Sequence, residues 1–154
     1  MSIKIQSTRF GTLEVAEETI IEFPLGLIGL GGLRYALFES RPGSSFLWLH
    51  SLEDPGLALP VVDPRLFFPS FTLEVNVRDR ELIGLTDPLE AFLYVTVRTA
   101  PDPAEVTVNL RAPLVIWEGR GHQVLNDAPG AELQEPLFPA LARIPRGAPV
   151  LDAA

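Results

Sequence analysis

Apolar and polar residues alternate along much of this chain with a period of two, the pattern of a β-strand that buries one face. The clearest alternating runs are residues 71–78, 91–98 and 106–111. Shorter runs predict further strands at residues 3–7, 12–16, 20–23, 35–39, 46–51, 58–62, 114–117 and 122–125. Turn-forming residues separate these runs at short intervals, which favours an antiparallel all-β fold.

Fifteen prolines are dispersed along the 154 residues, and because proline breaks helices they argue against any long helix. One helical turn is predicted from Asp79 to Leu85, with Asp79 as its N-cap. A second is predicted over residues 63–66, with Asp63 as the N-cap and Pro64 at the first helical position. The predicted fold is therefore a small antiparallel β-barrel, sandwich-like, with one or two short helical turns.

The length fits a single domain, but the strand pattern does not continue to the end of the chain. From Ala128 onward the alternation is lost, and prolines and alanines become frequent. We predict that residues 1–135 form a single β-barrel domain and that residues 136–154 form an extended tail rich in proline and alanine.

The net charge is −8, from 20 acidic and 12 basic residues. An acidic surface repels nucleic acid, so direct nucleic-acid binding is not expected, whereas a basic protein partner would be attracted. The chain has no cysteine, which excludes disulfides and thiolate chemistry. No signal peptide or membrane-length apolar segment is found, so we expect a cytoplasmic protein without membrane contact. We also expect it to be monomeric by itself.

Nothing in the sequence indicates catalysis, a metal or a cofactor. The glycine-rich segment 26–32 lacks the order of a dinucleotide loop and is predicted to be a loop with glycines at positive φ. Acidic pairs such as Glu53-Asp54 are expected by chance among 20 acids, and we interpret them as surface groups. His50 and His122 are predicted to be ordinary half-exposed residues beside strands.

Two further features concern structure and binding. Asn109 lies inside a predicted strand, where asparagine is unfavourable, so we expect a structural role in which its amide bonds the backbone of a neighbouring strand or loop. Pro113 is predicted to end that strand.

Phe67, Phe68 and Phe71 crowd a turn-rich segment, where they either close one end of the barrel or expose an apolar patch to a protein partner.

Three blocks of the chain resemble the FliW family of flagellar assembly factors. The first is TRFGTLEV followed by IIEFPLGLIGL. The second is WLHSLEDPGLALPVVDPRLFFPSF. The third is VTVNLRAPLVI followed by HQVL. Their order along the chain makes the resemblance more specific than any one block.

The resemblance implies a small antiparallel β-barrel that is not an enzyme and holds no cofactor. It implies two protein partners: flagellin, and CsrA, an RNA-binding repressor of flagellin translation. By sequestering CsrA the protein would relieve repression, and the two partners would exclude each other. Within the second block, the predicted partner-binding residues are Asp54, Asp63, Pro64, Phe67, Phe68, Pro69 and Phe71.

Two other functions stay open at the level of sequence. One is a β-barrel module that binds a ligand or serves a structural role without enzymatic activity. The other is a small hydrolase that uses a pair of carboxylates.

Overall fold

The structure is a computed structural model that describes residues 1–30, 32–39, 41–84 and 90–138. The strands in these residues are β1 Ser2–Ser7, β2 Gly11–Ala16, β3 Ile20–Glu22, β4 Arg34–Glu39, β5 Phe46–Ser51, β6 Ala58–Val62, β7 Phe92–Arg98, β8 Thr107–Val108, β9 Leu114–Trp117, β10 Arg120–Gln123 and β11 Glu135–Pro136. The helices are α1 Pro64–Phe67 and α2 Val77–Ile83, and single 3-10 turns lie at Glu17–Thr19 and Pro103–Glu105.

A closed barrel forms the centre of the molecule. Seven strands follow the order β7-β6-β5-β4-β3-β10-β9, and β9 pairs with β7 to complete the ring. The pairings within the ring are antiparallel except β3 with β10, which is parallel. The predicted all-β barrel with short helical turns is therefore confirmed.

The barrel interior is filled by side chains from alternate positions of its strands. Because neighbouring residues of a strand point to opposite faces, Tyr94 of β7 points inward while Leu93 and Val95 point outward. The interior cluster consists of Ile21, Phe23, Leu27, Tyr35, Leu49, Val61, Leu114 and Ile116, with Leu37, Leu47, Leu57, Leu59 and Tyr94 packed against it.

Three apolar clusters cover the outside of the barrel. The β1–β2 hairpin packs Ile5 and Val15 against Ala36 of β4. The segment around α1, together with β8 and Leu137, covers the outer face of β6 and β7. The segment that leads into α2 covers Leu93 of β7 and Val115 of β9. Residues Leu114, Val115 and Ile116 of β9 are therefore buried on both faces, which explains their continuous apolar sequence.

The strand predicted over residues 71–78 is wrong, although its alternation of burial is real. Residues 71–76 form no ladder, and Val77 begins α2. The reason is Asn126, whose amide takes the place of a neighbouring strand. Its Nδ2 donates to Thr72 O (2.9 Å) and its Oδ1 accepts from Glu74 N (3.0 Å). The backbone is thus satisfied without a sheet partner.

Two predicted boundaries also shift. The N-cap of α2 is Asn76 rather than Asp79, because Asn76 Oδ1 accepts from Asp79 N at 2.8 Å. The predicted domain end at residue 135 falls inside β11, and Leu137 is buried against Val106 and Val108. The barrel domain therefore reaches at least Leu137, while residues 139–154 of the predicted tail lie outside the described part of the chain.

Candidate protein-binding surfaces

The α1 segment is held by its own cap. Asp63 Oδ1 accepts from Arg65 N at 2.9 Å, as predicted for an N-cap, and Pro64 begins the helix. The Arg65 guanidinium also donates to both carboxylate oxygens of Asp63, each at 3.1 Å. Asp63 is therefore engaged within its own segment, and Pro64 is buried.

The three phenylalanines of this segment neither close the end of the barrel nor form a fully exposed apolar patch. Phe67, Phe68 and Phe71 are half-buried and pack on the outer cluster over β6 and β7, not in the barrel interior. The rings of Phe46 and Phe67 lie 6.2 Å apart between centroids. The apolar side chain that α1 presents to solvent is instead Leu66, which is 68% exposed, beside the exposed Pro69.

Asp54 belongs to a different surface. It lies in the turn between β5 and β6, where its Oδ1 accepts from Gly56 N at 2.9 Å. Asp54 precedes β6 and Asp63 follows it, so the two carboxylates lie at opposite ends of this strand. The structure therefore does not bring Asp54 together with the α1 segment.

The Asn109 amide bonds the backbone of the adjacent loop, one of the two kinds of partner predicted for it, and closes a local turn there. Its Oδ1 accepts from Arg111 N at 3.1 Å and Ala112 N at 3.0 Å, while its own N–H donates to Thr96 O. The chain turns here and leads to Pro113, which is buried and whose carbonyl accepts from Val124 N.

The two histidines differ from each other. His50 is fully buried, contrary to the half-exposed position predicted for it. Its Nδ1 donates to Ser51 O (2.8 Å), so its Nε2 accepts from Ser7 Oγ (2.7 Å). His122 is half-buried on β10, and its Nδ1 lies inside without a hydrogen-bond partner among the described residues. Burial, followed by the charge of Arg120, lowers the pKa of His122.

One open end of the barrel, which we call the acidic mouth, has an apolar floor and carboxylates at its rim. It is lined by Glu18, Ile21, Phe92, Tyr94, Ile116 and Glu118 and encloses about 330 Å³. Phe92 points to this opening and is 63% exposed. Burial raises the pKa of Tyr94, and the nearby carboxylates of Asp63 and Glu39 raise it further, against an opposing effect of Arg65. Sequence reasoning missed this site because Phe92 falls on the face of β7 that reads as polar.

The opposite end, which we call the leucine-rich mouth, is larger and has different chemistry. Leu27, Ile28, Leu30, Leu59, Leu114 and Leu133 contribute its apolar lining around about 470 Å³. The glycine-rich loop is fixed here, since Ile28 N donates to Gln123 Oε1 at 2.7 Å. Gly26, Gly29 and Gly32 have positive φ as predicted. Ile28 and Leu133 are 65% and 59% exposed.

Candidate chemistry is sparse in the described ranges. No group of three or more His, Asp or Glu side chains in them is placed to hold a metal ion. Among the same residues, none of the helices has the length and apolar character needed to cross a bilayer. The exposed apolar side chains at α1 and at the two mouths are thus the features that suggest binding.

Comparisons with known proteins point to a single family. The family model described as FliW protein matches residues 4–137. The flagellar assembly factor FliW of Natranaerobius thermophilus is 36% identical over 95% of this chain and 99% of its own length. That of Bdellovibrio bacteriovorus is 34% identical over 89% of this chain and 80% of its own.

A solved structure gives the same result at the level of the fold. A crystal structure of the flagellar assembly factor FliW superimposes with a TM-score of 0.78 and 27% identity, covering 89% of this chain and 98% of that one. The matched residues span the whole barrel, from β1 to Leu137. This chain therefore belongs to the FliW family.

Proposed function

We propose that this protein is a cytoplasmic regulator of flagellum assembly that works by protein binding alone. It captures the RNA-binding repressor CsrA, which relieves repression of flagellin translation, and it binds flagellin. Flagellin that accumulates then occupies the regulator and releases CsrA. The observation that carries this proposal is the family match across the whole barrel, since the curated relatives are named flagellar assembly factors.

The chemistry of the surface supports binding to a cationic partner. The chain carries a net charge of −8, and a protein that binds RNA presents positive potential. Opposite net charges accelerate encounter and favour correct orientation. Exposed apolar side chains such as Leu66 and Phe92 supply the apolar contact that holds a complex once formed.

Overlapping surfaces are the most direct basis for mutual exclusion of the two partners. The accessible surface is 9582 Å², and two standard interfaces would take only ~800 Å² each, so area alone does not force exclusion. The α1 segment and the acidic mouth adjoin, however, because Val62 pairs with Val95, so that Asp63 at the cap of α1 lies level with Tyr94 on the next strand. We propose that the two partners compete at this shared end of the barrel.

The α1 segment gives a direct test of this function. Leu66→Ala should weaken the binding of purified CsrA or flagellin, measured by calorimetric titration, by roughly tenfold if Leu66 is a central contact. Its melting temperature should stay near that of the unaltered protein, because Leu66 is mostly exposed. Phe68→Ala should instead lower the melting temperature, since Phe68 packs on the outer cluster.

Val77→Ala is a matched control, because Val77 is also an exposed aliphatic side chain but lies on α2. If the unaltered protein binds neither CsrA nor flagellin, the proposed function is wrong. If Leu66→Ala and Val77→Ala bind both partners as well as the unaltered protein, the function can stand but the α1 surface is not its site.

A second function is supported by one observation. The leucine-rich mouth encloses about 470 Å³, within the usual size range of small-molecule sites, which fits a ligand-binding barrel. A thermal-shift screen of small apolar metabolites tests this alternative. It predicts a ligand that raises the melting temperature of the unaltered protein and loses this effect in Leu133→Arg, a change at an exposed residue of the lining.

A further inference from the structure

The acidic mouth combines features that the α1 surface lacks. Its floor is made by inward-facing residues of three strands of the ring, with Ile21 on β3, Tyr94 on β7 and Ile116 on β9. Phe92 stands at its edge with 63% of its surface exposed. A large aromatic ring left in solvent at the rim of an apolar cavity is typical of a protein-binding position.

Carboxylates surround this aromatic edge. Glu18 precedes β3 and Glu118 lies in the β9–β10 turn, and both line the cavity. Glu39 ends β4 two positions beyond Leu37, which also lines it. The guanidinium of Arg65, whose charge acts on Tyr94, is already held by Asp63. The charged side chains that line the cavity itself are the carboxylates of Glu18 and Glu118.

The β9–β10 turn adds an independent observation. Glu118 has φ = 51° and Gly119 has φ = 76°, the conformation of a two-residue hairpin turn that favours Asn-Gly over Glu-Gly. Glu118 is the non-glycine residue with positive φ in the described part of the chain. Uncommon backbone conformations cluster at binding and switch regions, and Glu118 is one of the residues that line the acidic mouth.

From these observations we infer that the acidic mouth is the docking site for a cationic protein segment. The segment inserts an apolar side chain against Tyr94 and Ile116, and its flanking Arg or Lys groups lie over Phe92 and beside Glu18 and Glu118. Guanidinium groups are attracted both to aromatic faces and to carboxylates. The floor of the mouth therefore contacts the apolar side chain of the segment, and Phe92 and the carboxylates at the rim contact its cationic groups. This assignment rests on the proposed function, in which the cationic partner is CsrA, and it makes the acidic mouth the binding site for CsrA.

The test separates charge and apolar contact from folding. The variant Glu18→Gln/Glu118→Asn removes two rim charges, and asparagine suits the positive φ of the turn better than glutamate. Its melting temperature should therefore equal or exceed that of the unaltered protein. Its affinity for purified CsrA should fall by roughly tenfold at low salt, and the loss should shrink as salt is added. Phe92→Ala should weaken the binding of CsrA by at least about tenfold.

Matched controls lie away from the mouth. Asp127→Asn/Glu132→Gln removes the same charge from an exposed loop, and Val77→Ala removes a comparable exposed apolar side chain. Both should bind CsrA as the unaltered protein does. Binding of purified flagellin should change less than binding of CsrA when the rim charges are removed.

The outcomes distinguish the two levels of the proposal. If the rim and Phe92 variants bind CsrA as tightly as the controls, the docking site is overturned while the proposed function stands. If the unaltered protein binds no CsrA at all, the proposed function fails, and the assignment of this occupant fails with it.

Discussion

At the scale of single residues, two asparagine side chains make hydrogen bonds to backbone groups that have no partner in a neighbouring strand. Asn126 is buried, and its amide makes four hydrogen bonds, to Thr72 O, Leu110 O, Glu74 N and Ala128 N. Asn109 is half-buried and accepts from two N–H groups of its own turn. The first joins distant segments, whereas the second only closes a bend.

We therefore expect different costs for their removal. Asn126→Ala should lower the free energy of unfolding by about 3 kcal/mol, because buried backbone groups lose their partners. Asn109→Ala should cost about 1 kcal/mol, because water can reach part of its turn. Asn109→Asp, which keeps the acceptor, should restore most of that loss. Urea unfolding at neutral pH measures all three, and equal losses for the two alanine variants would contradict this account.

His122 gives a pH dependence whose sign follows from its surroundings. Burial lowers its pKa in the folded state, so the folded protein resists the proton more than the unfolded chain does. Its contribution to stability is complete above the ordinary histidine pKa of ~6.5 and is lost as the pH falls below it. Between pH 7.5 and 5.5, chosen as about one unit on either side of that value, the melting temperature should fall more in the unaltered protein than in His122→Gln. Identical falls would show that this imidazole does not titrate differently on folding.

At the scale of elements, the contact between β10 and the barrel interior depends on a missing side chain. A Cβ at Gly121 would lie 2.6 Å from Cζ of Phe23. Phe23 is fully buried and meets Tyr35 edge to face, with ring centroids 5.5 Å apart. The ring can move only by disturbing this interior cluster.

Gly121→Ala should accordingly destabilise the fold by about 2 kcal/mol or more, as overpacking of a core does. Gly130→Ala is an informative comparison, because nothing lies within 4 Å of its Cβ and only its positive φ opposes the change. Calorimetric melting of the two variants decides the matter. If Gly121→Ala loses no more stability than Gly130→Ala, the Phe23 ring moves aside without destabilising the fold.

Period-two alternation was sufficient to find the barrel strands and insufficient to tell a strand from an extended covering segment. Leu93 and Val95 alternate within a true strand, and Leu73 and Val75 alternate within a segment that has no ladder. The difference lies in which groups bond the backbone, and Asn126 is about 50 residues away in sequence. Similarly, Asp63 was recognisable as a cap because Pro64 follows it, while Asn76 carried no comparable signal.

At the scale of the whole molecule, closure of the barrel produces two ends with different chemistry. One end has an apolar floor with Tyr94 and Phe92 beside carboxylates, and the other is mostly aliphatic, with neutral polar groups and the cation of Arg98 around it. The sequence predicted an acidic, β-rich binding protein but not these mouths, because their residues come from strands far apart along the chain. Phe92 in particular reads as a residue on a polar face until the ring closes around it.

The central claim is that the two partners oppose each other on this protein, and one measurement tests it directly. Purified CsrA is titrated onto the protein at several fixed concentrations of flagellin, and the roles are then exchanged. We predict that the apparent Kd of each partner rises in proportion to the concentration of the other, because linkage makes the effect reciprocal. A stable ternary complex in which both partners keep their separate affinities would contradict the claim.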